Sequence, residues 1–584
     1  MPELKAWLPL TKKEMLSRGW DELDVILITG DAYVDHPSFG IAIIGRLIEE
    51  AGYRVGIISQ PNWQDDLRDF KRYGKPRFFF GISSGSMDSM VNHYTAAKRL
   101  RSTDAYTAGG KSGFRPDYAT STYARIVRQL YPDSLIILGG IEASLRRLTH
   151  YDYWSDQLLP SILYQSKADI IAYGMGEKNM MDILDVCAHK EHPAIQDFCH
   201  IPQIVYAAKK ENLPENKDSI YLHSYQTCKK SKEAFAHNFK LIETESNKKH
   251  PKTLIEPYED GYTVVNPPYS TMTQAELDHV YALPYTRLPH PKYNKRGEIP
   301  AFIMIQNSIN IHRGCFGGCS FCTISAHQGK FISGRSSHSI LQEIKCLTQM
   351  PYFKGHISDL GGPSANMYLM HGMNDNLCQS CERASCIFPD KCKNLNYNHQ
   401  PLLDLYRQAQ SIKGVQRITI GSGIRYDLLL CDDPALNKAY HIDEYTETLI
   451  RKHVSGRLKI APEHTENHVL KLMRKPDYEK FLIFRNKFLK INNKYQLRQQ
   501  LIPYFISSHP ACTMQDMIAL KKKMKQICYH PEQVQDFTPT PMTLSSTIFY
   551  TGINPYTGQK VFCETNLKKK QQQKNCFFNP SQQQ

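Results

Sequence analysis

Three cysteines, Cys315, Cys319 and Cys322, stand in the run Cys-Phe-Gly-Gly-Cys-Ser-Phe-Cys, a C-x3-C-x2-C spacing. With 16 cysteines in 584 residues, chance produces this spacing only about 0.01 times in such a chain. Three thiolates from one short loop suit a soft metal or an iron–sulfur cluster. A structural zinc site wants four closed ligands, and this loop offers three. On a four-iron cluster, three thiolates leave one iron with an open position, where a substrate or cofactor can bind.

The rest of the composition agrees with metal or catalysis as the use of these thiols. Charged residues are 22% and apolar residues 41%, an ordinary globular balance. The cysteines are too dilute for a disulfide scaffold. Met1 to Leu10 has no signal-peptide core, and no apolar run reaches the ~18 residues that would span a bilayer. The expected compartment is a reducing cytoplasm, with no membrane partner. The net charge of +15, from 72 basic and 57 acidic residues, admits an anionic partner, nucleic acid included. Its lysine runs at 521–523 and 568–570 read as solvated surface.

Short apolar runs at 24–29, 54–59, 77–82, 134–138 and 169–173 alternate with helical stretches such as 41–51 and 122–130. Five such runs predict a doubly wound parallel sheet over 1–187, its strands buried on both faces. Residues 188–299, rich in Lys, Asn and Pro, read as a connecting region with some strand content. A second alternation, at 302–306, 356–360, 417–420, 457–460, 501–506 and 533–537, predicts an open (β/α)6 barrel over 300–565. The segment 566–584 reads as a low-complexity, disordered tail.

With Phe321 before its last cysteine, the motif resembles that of the radical S-adenosylmethionine (SAM) superfamily. The strings Gly139–Arg147, His150–Trp154, Cys315–Arg335 and Pro503–Pro510 are similar to those of the YgiQ-like radical SAM proteins, over roughly residues 5 to 565. The resemblance implies that Cys315, Cys319 and Cys322 hold three irons of a [4Fe–4S] cluster and that SAM chelates the fourth. One electron would then cleave SAM and release a 5′-deoxyadenosyl radical that acts on an unassigned substrate. An electron donor of flavodoxin or ferredoxin type is the implied partner.

Polar and glycine clusters follow each predicted barrel strand, at the end where barrel enzymes place their chemistry. Gly361-Gly362-Pro363 occupies the place of the superfamily's Gly-Gly-Glu-like motif, whose glycines let a strand edge approach the methionine amino group. Proline here replaces the acid. Gly421, Ser422 and Arg425 form an expected lip for the ribose and carboxylate of SAM, with Arg425 able to fork onto the carboxylate. Glu463, His464 and His509 either contact cofactor or substrate or are satisfied rim residues. No catalytic acid, base or nucleophile is assigned.

A second group, Cys378, Cys381, Cys386 and Cys392, supplies four ligands in an insertion at 378–392, as for structural zinc or an auxiliary cluster. The amino-terminal sheet resembles the cobalamin-binding domain of other superfamily members. A base-off cobalamin site uses D-x-H-x-x-G, whereas Asp35 and His36 are adjacent, which argues against cobalamin. Gly139-Gly140 and Gly174–Glu177 are expected to line a ligand crevice or face the barrel. Arg146, Arg147, His150, Tyr151, Tyr153 and Trp154 suit substrate, nucleic acid or interdomain packing. Against the radical enzyme stands a nucleic-acid-binding or RNA-modifying protein with structural clusters, whose binding would depend steeply on salt.

Overall fold

The computed structural model describes residues 3–214, 218–527, 529 and 534–577. The five expected strands form as β1 (Val25–Thr29), β2 (Val55–Ser59), β3 (Phe79–Ser83), β4 (Leu135–Leu138) and β5 (Ile170–Ala172). They pair in parallel in the order β2-β1-β3-β4-β5, the flavodoxin-like doubly wound order. Alternation along each strand feeds two cores. Val25 and Leu27 join one cluster, with Val55, Ile57 and Phe79. Ile26 and Ile28 join the other, with Phe80, Ile136 and Leu138. All five residues of β1 and of β2 are buried, so continuous hydrophobicity is what two-sided burial demands.

Residues 188–299 are more than a connector. They contribute β6 (Ile204–Ala208), β7 (Ile220–Tyr221), β8 (Leu254–Tyr258) and β9 (Gly261–Val265). These extend the sheet to nine strands, in the order β7-β8-β9-β6-β5 from its far edge. β6 runs antiparallel to β5, and β8-β9 is a hairpin. The strands were hard to read in sequence because β7 has two residues and β8 carries Glu256 and Pro257, residue types depleted in strands.

The carboxyl-terminal half is an open, mostly parallel barrel. Its strands are β10 (Ser308–Asn310), β11 (His356–Ile357), β12 (Asp359–Gly361), β13 (Arg417–Ile418), β14 (Arg457–Glu463), β15 (Gln500–Ser507) and β16 (Val534–Asp536). Parallel pairs join β10 to β12, β11 to β13, β14 to β15 and β15 to β16. Ile309, Leu360, Ile418, Leu458 and Phe505 share its core. The expected first strand at 302–306 is instead helical, Pro300–Ile305, and β10 begins at Ser308. Pro300 sits at the first helical position, where its fixed φ and missing N–H favour a helix start. A short apolar run alone does not separate helix from strand.

The expected tail is corrected for its described part. Leu567–Asn575 is a helix, capped by the Asn566 side chain accepting from the Lys568 and Lys569 N–H groups. Lys570 and Gln573, one turn apart, are each 2% exposed. Lys570 donates to the Phe537 carbonyl (3.0 Å) and Gln573 Oε1 accepts from Ser508 N (3.0 Å) and Oγ (3.1 Å). Polar composition suggested solvation; the partners are polar groups at the barrel rim. Residues 578–584 of the expected tail lie outside the described residues. Among the described residues no helix is long and apolar enough to cross a membrane.

Gln573→Ala strips a buried N–H and hydroxyl of their acceptor. It should lower unfolding stability by about 1–3 kcal/mol, measured by denaturant titration, and an unchanged midpoint would show that this helix is not docked.

Candidate functional site

The cysteine loop leaves the carboxyl end of β10 and is held in place by glycine. Gly314 has φ +86°, and a Cβ there would lie 2.2 Å from the Phe331 carbonyl oxygen. A Cβ on Gly318, at φ +61°, would lie 2.2 Å from the Ala384 oxygen, and one on Gly317 2.7 Å from Arg425 Nη1. Only glycine permits such approaches. Cys315 N donates to the Gly329 oxygen (3.2 Å) and Cys322 N to the Cys319 oxygen (3.1 Å), which closes the loop before the helix Ile324–Gln328.

The three cysteines are each half-buried. Burial, with Cys319 and Cys315 adding, pushes the Cys322 thiol up to about 12. Burial and Cys319 likewise raise Cys315. Arg425 Nη1 donates to Cys319 Sγ at 3.3 Å. A soft cation bound here would displace the thiol protons. Three soft donors on a glycine-rich loop facing a guanidinium fit an iron–sulfur cluster with an open iron.

The expected cofactor lip is brought together by a residue that sequence reasoning missed. Asp359 Oδ1 accepts from Gly421 N (2.9 Å) and Ser422 N (3.1 Å), and its Oδ2 accepts from Ser422 Oγ. Gly361 lies against the same side chains, since a Cβ there would be 2.8 Å from Ser422 Oγ. Gly362 packs on the His312 ring, 2.5 Å from a would-be Cβ. Arg425 lies otherwise than expected. It forks onto Asp427, with Nε 3.0 Å and Nη2 2.7 Å from the carboxylate oxygens. Its Nε and Nη2 are thus engaged by a carboxylate of the chain itself.

The other rim residues divide. His509 Nδ1 donates to the Pro510 carbonyl (2.9 Å), and its Nε2 accepts from Ser545 Oγ (2.7 Å). His464 Nδ1 accepts from Glu466 N (3.0 Å). Burial holds both rings down to about 3, so each is a neutral structural group. Glu463 ends β14 in the left-handed region, φ +69°. Burial raises its carboxyl, opposed by Lys475 at 3.6 Å.

The second cysteine group rests on the first. Cys386 N donates to the Phe316 oxygen (3.1 Å), as does Ser385 Oγ (3.3 Å). Burial lifts the Cys386 thiol to about 11, with Lys330 opposing and Cys381, Cys392 and Cys378 adding. Cys378 Sγ accepts from Asn394 Nδ2 at 3.3 Å. Cys386 is thus near enough to Cys381, Cys392 and Cys378 for each to act on it. Among the described residues, no three His, Cys, Asp or Glu side chains close around one point as a mononuclear metal requires.

The carboxyl ends of β1, β3, β4 and β5 open onto a crevice of about 360 Å³, lined by Gly139-Gly140 and Gly174–Glu177 and closed by Asn310, Arg313 and His327 of the barrel half. Arg313 and Glu177 form a buried ion pair across it. His36 does not line this crevice; it is 1% exposed, with Nδ1 accepting from Ser38 N at 3.1 Å. Beside it lies a chamber of about 390 Å³. A cavity of about 30 Å³ touches Cys319 and Cys322. Tyr151 and Tyr153 pack with Phe537 and Phe549, so that aromatic run is a seam between the halves.

Residues 7–308 match the family model described as Radical SAM N-terminal. The chain is 54% identical to a UPF0313 protein of Bacteroides thetaiotaomicron, over 98% of this chain and 94% of the relative. It is 53% identical to one of Porphyromonas gingivalis, over 98% and 90%. Among solved structures it is similar to TsrM, a radical S-adenosylmethionine methyltransferase from Kitasatospora setae solved with cobalamin and a [4Fe-4S] cluster. That likeness is at 12% identity and TM-score 0.48, over 89% of this chain and 74% of TsrM.

With Cys315, Cys319 and Cys322 all replaced by Ala, reconstituted protein should keep metal at the second group and lose it on further replacement of Cys386. Iron and zinc analysis checks this, and a metal-free triple variant would refute it.

Proposed function

We propose, for a chain that belongs to the UPF0313 family and carries a radical SAM N-terminal domain, that Cys315, Cys319 and Cys322 hold a [4Fe–4S] cluster whose fourth iron takes SAM. The protein is a radical SAM enzyme of unassigned reaction. The observation that carries the proposal is the glycine-built loop that presents three mutually perturbing thiols, with Arg425 beside Cys319. Bound and reduced, such a cluster supplies the electron that cleaves SAM to methionine and a 5′-deoxyadenosyl radical able to take hydrogen from a substrate.

The chain's own residues supply placement and dryness. Arg425, anchored by Asp427, directs positive charge at Cys319, where it would raise the potential of a bound cluster. Asp359 gathers the Gly421 and Ser422 amides, leaving a glycine-lined strand edge at Gly361 for the cofactor. The amino-terminal half meets the loop's following helix, with His327 Nδ1 3.1 Å from Ser144 Oγ. An external flavodoxin- or ferredoxin-type donor would deliver the electron. For cobalamin, the chain offers no base-off ligand at His36, and no step is assigned to it.

Anaerobic, reconstituted protein with dithionite and SAM should yield 5′-deoxyadenosine, and Cys319→Ala should reduce the yield at least ~100-fold. Chromatographic quantitation checks this. Wild-type protein that holds a cluster yet forms none with chemical or protein reductants would refute the reading.

A further inference from the structure

Eight arginines are buried among the described residues, and seven have a carboxylate partner. Arg46 pairs with Asp35, Arg115 with Asp31 and Arg146 with Asp88. Arg287 and Arg335 share Glu343, Arg313 takes Glu177, and Arg425 takes Asp427. Arg147, 5% exposed, is the exception. Its Nη1 donates to the Ser144 carbonyl at 2.6 Å, and its guanidinium lies 4.8 Å from the centre of the Tyr173 ring. Nε has no hydrogen-bond partner. A guanidinium cannot shed its charge, and a buried charge without a counter-ion is costly. This one is held ready for an anion.

Its position says which anion. Arg147 lines both the 30 Å³ cavity that touches Cys319 and Cys322 and the 390 Å³ chamber beyond it. Lys248, Lys249 and Lys252 stand at the chamber wall. Most of the chamber's cations are already matched, Lys248 by Glu245 at 2.7 Å, Lys249 by Asp375 and Lys178 by Glu276 at 2.8 Å. Arg147 has no such carboxylate partner. We infer that the chamber takes a small anionic substrate whose carboxylate or phosphate group sits on Arg147, with its reacting part toward Cys319 and Cys322. The substrate role rests on the radical SAM reading above; the anion site does not.

The test uses the full-length, anaerobically reconstituted protein. Thermal midpoints are followed against inorganic phosphate and, separately, malonate, with chloride at matched ionic strength as reference. The wild type should show a saturable rise with at least one probe, and the stronger of the two identifies the anion as phosphate or carboxylate. Arg147→Met should weaken the apparent affinity about 10- to 100-fold, and Arg147→Lys, which keeps the charge but not the fork, should fall between. A wild type that responds no more than in chloride overturns the inference, as does an Arg147→Met protein that responds like wild type. If Arg147→Met does not fold, an Arg147→Lys protein of unchanged affinity overturns it. A variant that loses SAM and the probe together also overturns it, since the guanidinium would then serve the cofactor. An Arg147-dependent anion response in wild type that forms no 5′-deoxyadenosine refutes the enzymatic reading alone, and the converse pair of results refutes the anion site alone.

Discussion

The buried ion pair between Arg313 and Glu177 joins the two halves of the molecule at the point where the chemistry is proposed. Arg313 stands two residues before Cys315, in the short strand His312–Arg313 that follows β10. Glu177 opens the helix Glu177–His189 that follows β5, where the helix dipole also favours a carboxylate. Neither charge has bulk water to fall back on, so separating them would leave two uncompensated buried ions, a loss of about 3–5 kcal/mol. With the pair intact, the carboxyl edge of the parallel sheet faces the carboxyl end of β10. Each of these folds places its ligands at that edge, and here the two edges share one set of cavities.

The cysteine loop meets this wall on one side and the second cysteine group on the other. Gly318 and Ala384 approach too closely for any side chain, and Phe316 offers its carbonyl to Cys386 N and Ser385 Oγ. The two groups therefore share backbone, and a shift in either loop is felt by the other. Burial, with neighbouring thiols adding, raises the Cys315, Cys322 and Cys386 thiols. The energy to ionise them must come from metal coordination, so occupancy and local structure are coupled.

Much of the architecture was legible in the order of residues. Runs such as Val25–Thr29 are apolar throughout because both faces of the strand are covered. Two elements that differ from expectation share a reason: their stability comes from distant partners. β8, with Glu256 and Pro257, is a strand because β7 and β9 flank it. The helix Leu567–Asn575 holds because Ser508 and Phe537 need partners for Gln573 and Lys570. At 302–306, Pro300 was a local signal that favoured the helix over the strand.

By itself the sequence determined the donor chemistry and the two α/β halves, because ligand spacing in a loop and hydrophobic runs in a strand are local properties. Only the tertiary structure decided what each charged group does. Arg146 and Arg147 are neighbours of identical chemistry, yet one meets Asp88 and the other no carboxylate. Arg425, which looked free to receive a cofactor, is held by Asp427, and Asp359, which looked unremarkable, organises the rim. Whether a buried charge is satisfied depends on residues far away in the chain, and that information exists only once the chain has folded.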